Sequence, residues 1–299
     1  MVIPLENSKG KTVFKQMIEF DWLIHYRCNY KCYYCFFAEH WDYVEKKNIK
    51  LHYSKWVEAY KRIHDKYGDL KIIITGGEPA IFPNFQELII ELTKFAQVSF
   101  DTNLSYSKEK LESLVSQVDC SKLFIGASFH PIFAELNDFF EKMMILKKYK
   151  VDSRVHFVTH PNQIKILPKA KELFASQNIR FVPIPFRGVF KGKQYPAAFT
   201  KEEEEIIYGV TQNLIEKDKQ WSNIQVEQAD SKNKLCRAGQ MYARVDCDGT
   251  VYPCANDFKE TGGKIVIGNI LHEDFEMRKE PMICSHDKCP CEFRWIVKK

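Results

Sequence analysis

Between about residue 16 and residue 216, two kinds of apolar segment alternate: short runs rich in β-branched and aromatic residues, and longer stretches with apolar residues every three or four positions. The short runs predict strands over 16–26, 71–75, 97–102, 122–129, 153–159 and 180–184. The longer stretches predict helices over 53–66, started by Ser54, over 85–96, after a Ser107 cap, over 136–148 and over 167–176. A last helix runs from the capping box Thr200-Lys-Glu-Glu203 to about residue 216, its acidic run 202–205 suiting the positive end of the helix dipole. Strands and helices in strict alternation predict an α/β fold, with a parallel sheet and crossover helices.

After Lys232 the pattern changes, and six of the ten cysteines fall between Cys236 and Cys291. There 241–247, an Asp248-Gly249 turn and Thr250-Val-Tyr-Pro-Cys254 predict a tight β-hairpin. The domain expectation is therefore 1–218 for the α/β core, 219–235 for a linker and 236–299 for a small cysteine-rich hairpin domain.

Composition narrows the function. At 299 residues and 45% hydrophobic, the chain can bury one large core with a small appendage. A net charge of +5, scattered rather than striped, gives no support to nucleic-acid binding. Residues 1–10 lack a charged start followed by an apolar run, and no stretch of about eighteen apolar residues occurs, so a soluble cytoplasmic protein without membrane partners is expected. In a reducing compartment, ten cysteines point to metal or cluster ligation rather than to disulfides.

The chemistry concentrates in Cys28-Asn-Tyr-Lys-Cys32-Tyr-Tyr-Cys35, which offers three thiolates and no fourth. An iron–sulfur cluster held this way leaves one iron open to a small chelating molecule. Half of a zinc site is the competing reading. Further on, the strand over 71–75 runs into Gly76-Gly77-Glu78-Pro79, two glycines at a strand end that permit close approach of a ligand.

These two motifs, in this order, resemble the radical S-adenosylmethionine (SAM) superfamily, in which three cysteines are separated by three and then two residues, with an aromatic, here Tyr34, before the last. The resemblance implies a 4Fe–4S cluster on Cys28, Cys32 and Cys35, whose open iron chelates SAM. An electron from the cluster cleaves SAM to methionine and a 5′-deoxyadenosyl radical, which abstracts a substrate hydrogen. The fold it implies is a partial (β/α)6 TIM-type barrel, with Gly76, Gly77, Glu78 and Pro79 lining the methionine end of SAM.

Chemistry in such barrels sits where strands end, which makes Asp101, Thr102, Asn103, Ser128, His130, Thr159, His160 and Arg187 candidates. By the resemblance Asn103 and Ser128 contact SAM and Ile184 touches its adenine. For His130 and His160 a plain polar loop residue beside a proline is the competing reading.

The pattern of Cys236, Gly239, a hairpin with the Asp248-Gly249 turn and the Tyr252-Pro-Cys254 exit, with Cys284, Cys289 and Cys291 behind, looks like a SPASM or Twitch domain, which implies one auxiliary 4Fe–4S cluster. Five cysteines then compete for four irons, Cys247 is spare or close to substrate, and Cys120 is a small buried hydrophobe. Zinc at the tail is the alternative. The expected function is hydrogen abstraction followed by oxidation or bond formation on a small biosynthetic intermediate, with a flavodoxin or ferredoxin as electron donor. A peptide maturase and a non-catalytic cluster- or zinc-binding carrier are the alternatives.

Overall fold

The computed structural model describes residues 3–6, 12–15, 17–35, 49–211, 229–257, 265–289 and 295–297. Strands β1 (Ile3–Glu6) and β2 (Thr12–Lys15) form an antiparallel pair ahead of the main fold.

Six parallel strands follow: β3 (Ile18–His25), β4 (Leu70–Gly76), β5 (Ala96–Thr102), β6 (Leu123–Ser128), β7 (Asp152–Thr159) and β8 (Arg180–Pro185), each paired with the next. The helices α1 (Tyr53–Tyr67), α2 (Phe85–Thr93), α3 (Lys108–Val115), α4 (Leu136–Lys148) and α5 (Leu167–Ala175) make the crossovers, and α6 (Lys201–Thr211) follows β8. This is the α/β parallel sheet that the alternating pattern predicts, and it fits the partial barrel that the resemblance implies.

Most boundaries lie within two residues of the sequence reading, and two of the shifts have local reasons. Helix α1 is capped by His52, whose Nδ1 accepts from the Ser54 N–H, rather than by Ser54. Helix α2 stops at Thr93 because Lys94 and Phe95 tighten into i→i+3 bonds and Ala96 already pairs with Leu70 as the first residue of β5. The capping box holds: Glu203 N–H donates to Thr200 Oγ1 at 3.2 Å, and Thr200 N–H to Glu203 Oε2 at 2.9 Å. The expected end of that helix near residue 216 lies outside the described residues.

Past β8 comes a hairpin that the pattern did not announce, β9 (Gly188–Phe190) with β10 (Lys193–Tyr195). In the C-terminal part, β11 (Ala229–Asp230), β12 (Leu235–Cys236), β13 (Tyr242–Val245), β14 (Thr250–Tyr252), β15 (Gly268–Asn269), β16 (Met282–Ile283) and β17 (Lys288–Cys289) are short. The hairpin β13–β14 does not stand alone. Strand β13 runs parallel to β3, with Tyr242 opposite Glu19 and Val245 opposite Trp22, so one nine-stranded sheet has the order β15-β14-β13-β3-β4-β5-β6-β7-β8. Arg244 Nη1 bonds Asp21 Oδ2 at 3.1 Å across that junction, and Ala243, Val245, Val251, Ile270, Phe275 and Met277 join the barrel's own apolar core.

The two faces of the six-stranded sheet are unlike. Outward residues such as Trp22, Ile74, Phe100, Ile125 and Val155 are fully buried under the helices, with the Trp22 ring packed at a tilt 4.6 Å from Trp56 of α1. Each such side chain contributes about 1.5–3 kcal/mol by leaving water. On the inward face, Asp21, Ile73, Thr75, Ser99, Asp101, Ser128 and Ile184 keep partial access. The inward face, sealed less completely than the outer one, lines the lumen of the partial barrel, whose C-terminal end carries the cysteine loop. Among the described residues, no helix is long and apolar enough to cross a membrane.

Candidate active site

The cysteine loop leaves the end of β3 and is held down by backbone, not by side chains alone. Gly77 N–H donates to His25 O at 2.9 Å and Glu78 N–H to Arg27 O at 2.8 Å, extending the β3–β4 pairing past the strand ends. A Cβ at Gly77 would lie 2.0 Å from the Arg27 carbonyl oxygen, so the turn approaches this closely only because residue 77 is glycine. The backbone of Arg27 thus makes one close approach that the glycine permits. His25 completes the joint. Its Nδ1 accepts from Arg27 N–H at 3.1 Å, which leaves the proton on Nε2 to donate to Glu78 O at 3.0 Å, and burial lowers its pKa to about 4.

Glu78 points the other way, into the protein. Its carboxylate accepts from Thr102 Oγ1 at 2.7 Å, Asn103 N–H at 2.6 Å and Ala80 N–H at 2.9 Å. Burial pushes it up to about 7 against those three donors. Asn103 Nδ2 in turn donates to Asn29 Oδ1 at 2.8 Å, and Asn29 Nδ2 to Ser105 Oγ at 2.9 Å, so the end of β5 braces the loop between Cys28 and Cys32. Pro79 is buried at the start of a short 3-10 turn.

Cys32 is buried, and Cys28 and Cys35 are half-buried. Burial, followed by the neighbouring thiols, pushes Cys32 up to about 12, and burial does the same to Cys28, up to about 11. Three crowded thiols that resist ionisation want a cation among them, which is what iron supplies. The donor set therefore fits a cluster with one open corner.

Above the loop stands a small aromatic cluster. Tyr34 stacks on His130 and on His160, with ring centres 5.9 Å and 5.5 Å away, and its hydroxyl meets His130 Nδ1 at 2.9 Å. Cys32 Sγ lies 3.7 Å from the same nitrogen. His160 is packed further by Phe186 and Phe190, each at 4.5 Å. Burial lowers the His130 pKa to about 4, so the ring is neutral. The sequence left both histidines open as ordinary loop residues; here they frame the mouth of the lumen. Ser128 and Ile184, at the ends of β6 and β8, are half-buried on the lumen side, and Arg187 is exposed.

The second cysteine set surrounds one cavity lined by Cys236, Cys254, Cys284 and Cys289 together with Asp257 and His286. Burial raises the Cys236 thiol, and nearby Cys284 and Cys289 add to it. Cys254 faces Asp257 Oδ2 at 3.2 Å, and Asp257 Oδ1 meets His286 Nε2 at 2.9 Å. Burial and this carboxylate push Cys254 well up. Four thiols round one enclosed space fit a single cluster. Cys291 lies outside the described residues.

Two family models match the chain: the radical SAM superfamily over residues 22–127, and an iron–sulfur cluster-binding domain, SPASM, over residues 236–282. The chain belongs to the radical SAM superfamily. It carries a SPASM domain behind the barrel, and these domains bind a 4Fe–4S cluster with SAM and a further iron–sulfur cluster respectively. A segment of 92 residues is 29% identical to the GTP 3′,8-cyclase of Aquifex aeolicus, covering 29% of this chain and 28% of that protein. Another of 99 residues is 29% identical to the probable GTP 3′,8-cyclase of Archaeoglobus fulgidus, covering 32% of each. The matched segments thus span under a third of these curated relatives. The fold is shared with SuiB of Streptococcus suis (TM-score 0.60, 15% identity, 88% of this chain and 65% of that one). It is also shared with anSMEcpe solved with bound AdoMet (TM-score 0.58, 19% identity, 85% and 75%).

Within this SPASM domain, Cys247 is buried inside the hairpin turn, against Leu23, Tyr26 and Tyr252. Tyr26, two residues before Cys28, donates to Asp246 Oδ1 at 3.2 Å, so a direct contact links the cysteine loop to the hairpin. Sequence reasoning missed this junction, along with Asp257 and His286. Nothing in the one-dimensional pattern marks which outer strand β3 accepts. Cys120 is half-buried, its thiol directed at the Val115 carbonyl at 3.3 Å.

Proposed function

We propose that this chain is an enzyme that cleaves SAM reductively and removes a hydrogen atom from a small biosynthetic intermediate held in the barrel lumen, the outcome being oxidation or bond formation. The observation that carries the reading is the placement of three thiols, without a fourth among the described residues, at the mouth of a lumen whose inward face is partly accessible. Cys28, Cys32 and Cys35 would hold the first cluster, on which SAM supplies the hydrogen-abstracting radical. Glu78, Asn103 and His25 keep the loop in place, the chain at Gly76–Gly77 closes the methionine side, and Tyr34 walls the site toward His130 and His160. Ser128 and Ile184 offer the lumen side for ribose and adenine.

Cys236 and Cys254, with cysteines of the tail 284–291, would hold one auxiliary cluster that accepts the substrate's second electron. A flavodoxin or ferredoxin delivers the electron that cleaves SAM, and the substrate's first electron leaves with the abstracted hydrogen atom. A peptide substrate is the second reading, favoured by exposed apolar residues around the mouth, Ile132, Phe133 and Val189. SuiB has been solved with its precursor peptide SuiA, and anSMEcpe with a bound peptide. Anaerobically reconstituted protein reduced with dithionite should convert SAM to 5′-deoxyadenosine and methionine. A folded, iron-loaded protein that forms neither is a carrier, and the proposal falls.

A further inference from the structure

Asp101, the penultimate residue of β5, stands out among the inward-facing groups. Its side chain keeps 42% of its accessible surface although the strand is central in the sheet, so that access is to the lumen. It accepts no hydrogen bond from any described residue. What faces it is a fixed pair. Arg154 Nε donates to His156 Nε2 at 2.7 Å, and because guanidinium is only a donor, the imidazole proton must sit on Nδ1. That nitrogen lies 3.7 Å from Asp101 Oδ1. The chain keeps space for the carboxylate at Gly126 of β6, where a Cβ would fall 2.0 Å from Asp101 Oδ1 and 2.9 Å from the His156 ring. By contrast Asp21, on the same face, is already met by Thr75, Tyr242 and Arg244, and Glu19 by Lys71.

We infer that Asp101, oriented by His156 and Arg154 and accommodated by Gly126, is the substrate-binding carboxylate of the lumen, and that it takes a substrate bearing a hydroxyl or amine donor next to the carbon that loses hydrogen. A carboxylate with no hydrogen-bond donor of its own forms its strongest bond with such a donor, and a substrate with only acceptors or an anionic group there would be repelled. The inference rests on the proposed activity. His156 and Arg154 act through Asp101 and are positioning residues.

The test uses the reconstituted enzyme, SAM, dithionite as the electron source, and two carbon-deuterated fragments as probes: d4-ethanolamine, which has both donors, and d6-dimethyl sulfoxide, which has none. Abstraction breaks a C–D bond and places the deuterium on the 5′ carbon of 5′-deoxyadenosine, so mass spectrometry reads the labelled fraction per product formed, whatever the turnover rate. The wild type should show saturable labelling from ethanolamine and at least about tenfold less from dimethyl sulfoxide, the ratio a charge-assisted hydrogen bond supplies. Asp101→Asn, and independently Gly126→Ala, which displaces the carboxylate without removing it, should each lower the labelled fraction about tenfold. Equal labelling in Asp101→Asn and wild type, equal labelling from both fragments, or 5′-deoxyadenosine without label would overturn the site while leaving the proposed activity standing. No 5′-deoxyadenosine at all would remove that activity and the site with it.

Discussion

The first cysteine loop draws all three of its thiols from eight consecutive residues and hangs from the barrel by backbone bonds to the Gly76–Gly77 turn, whereas the second set is collected from Cys236 to Cys289 by short strand pairs that close round a cavity. The loop opens on one side toward a lumen, and the cavity is lined by Cys236, Cys254, Cys284 and Cys289 together with Asp257 and His286. An open corner can bind and activate a molecule; a closed set of four can only store and pass charge. That difference in geometry, more than the number of cysteines, separates a reactive centre from an accessory one.

The widest break in the comparison is to remove one centre at a time. Replacing Cys28, Cys32 and Cys35 together with Ala should abolish 5′-deoxyadenosine formation and lower iron from about eight to about four atoms per chain. Cys236→Ala with Cys254→Ala should lower iron by the same amount but spare SAM cleavage and cost the oxidised product. If either variant lost all its iron, the two centres would not be independent.

Gly77 sharpens the contrast, because its substitution strikes the scaffold of the open centre only. Gly77→Val puts side-chain atoms into the Arg27 backbone, so the loop itself must move. The expected result is loss of about four irons along with SAM binding, and a stability loss of about 3 kcal/mol or more in chemical denaturation. A Gly77→Val protein that keeps the first cluster's electron paramagnetic resonance signal and loses only its response to SAM would show that the glycine serves the ligand rather than the loop.

The smallest effect concerns Glu78. Burial raises its folded pKa to about 7 from an ordinary value near 4.5. Between those values the folded state binds more protons than the unfolded one, so the stability Glu78 contributes is full below about pH 4.5 and is lost as pH rises through about 7. Measured by urea denaturation of cluster-free protein, the stability advantage of the wild type over Glu78→Gln should therefore shrink across that window, by about 1–3 kcal/mol. A difference that is flat or grows with pH would mean that Thr102, Asn103 and Ala80 hold Glu78 ionised throughout.

The sequence by itself determined the order of strands and helices, the three-thiol loop and the Gly-Gly-Glu-Pro turn, because each depends on neighbours within a few residues: alternation, capping and ligand spacing are local. It also marked the hairpin through Asp248-Gly249, and the cysteines behind it. What only the tertiary structure decided involves residues far apart in the chain. The parallel pairing of β13 with β3 fuses the hairpin to the barrel, although either strand could have been read as an edge. Tyr34 meets His130 and His160 across about a hundred residues or more, and Gly77 packs against the Arg27 carbonyl. Asp101 resembles any polar strand-end residue until β6 and β7 bring Gly126, His156 and Arg154 to its side. Such contacts leave no periodic trace, since each is fixed by which strands neighbour one another and in what register, and that choice is made by burial over the whole sheet.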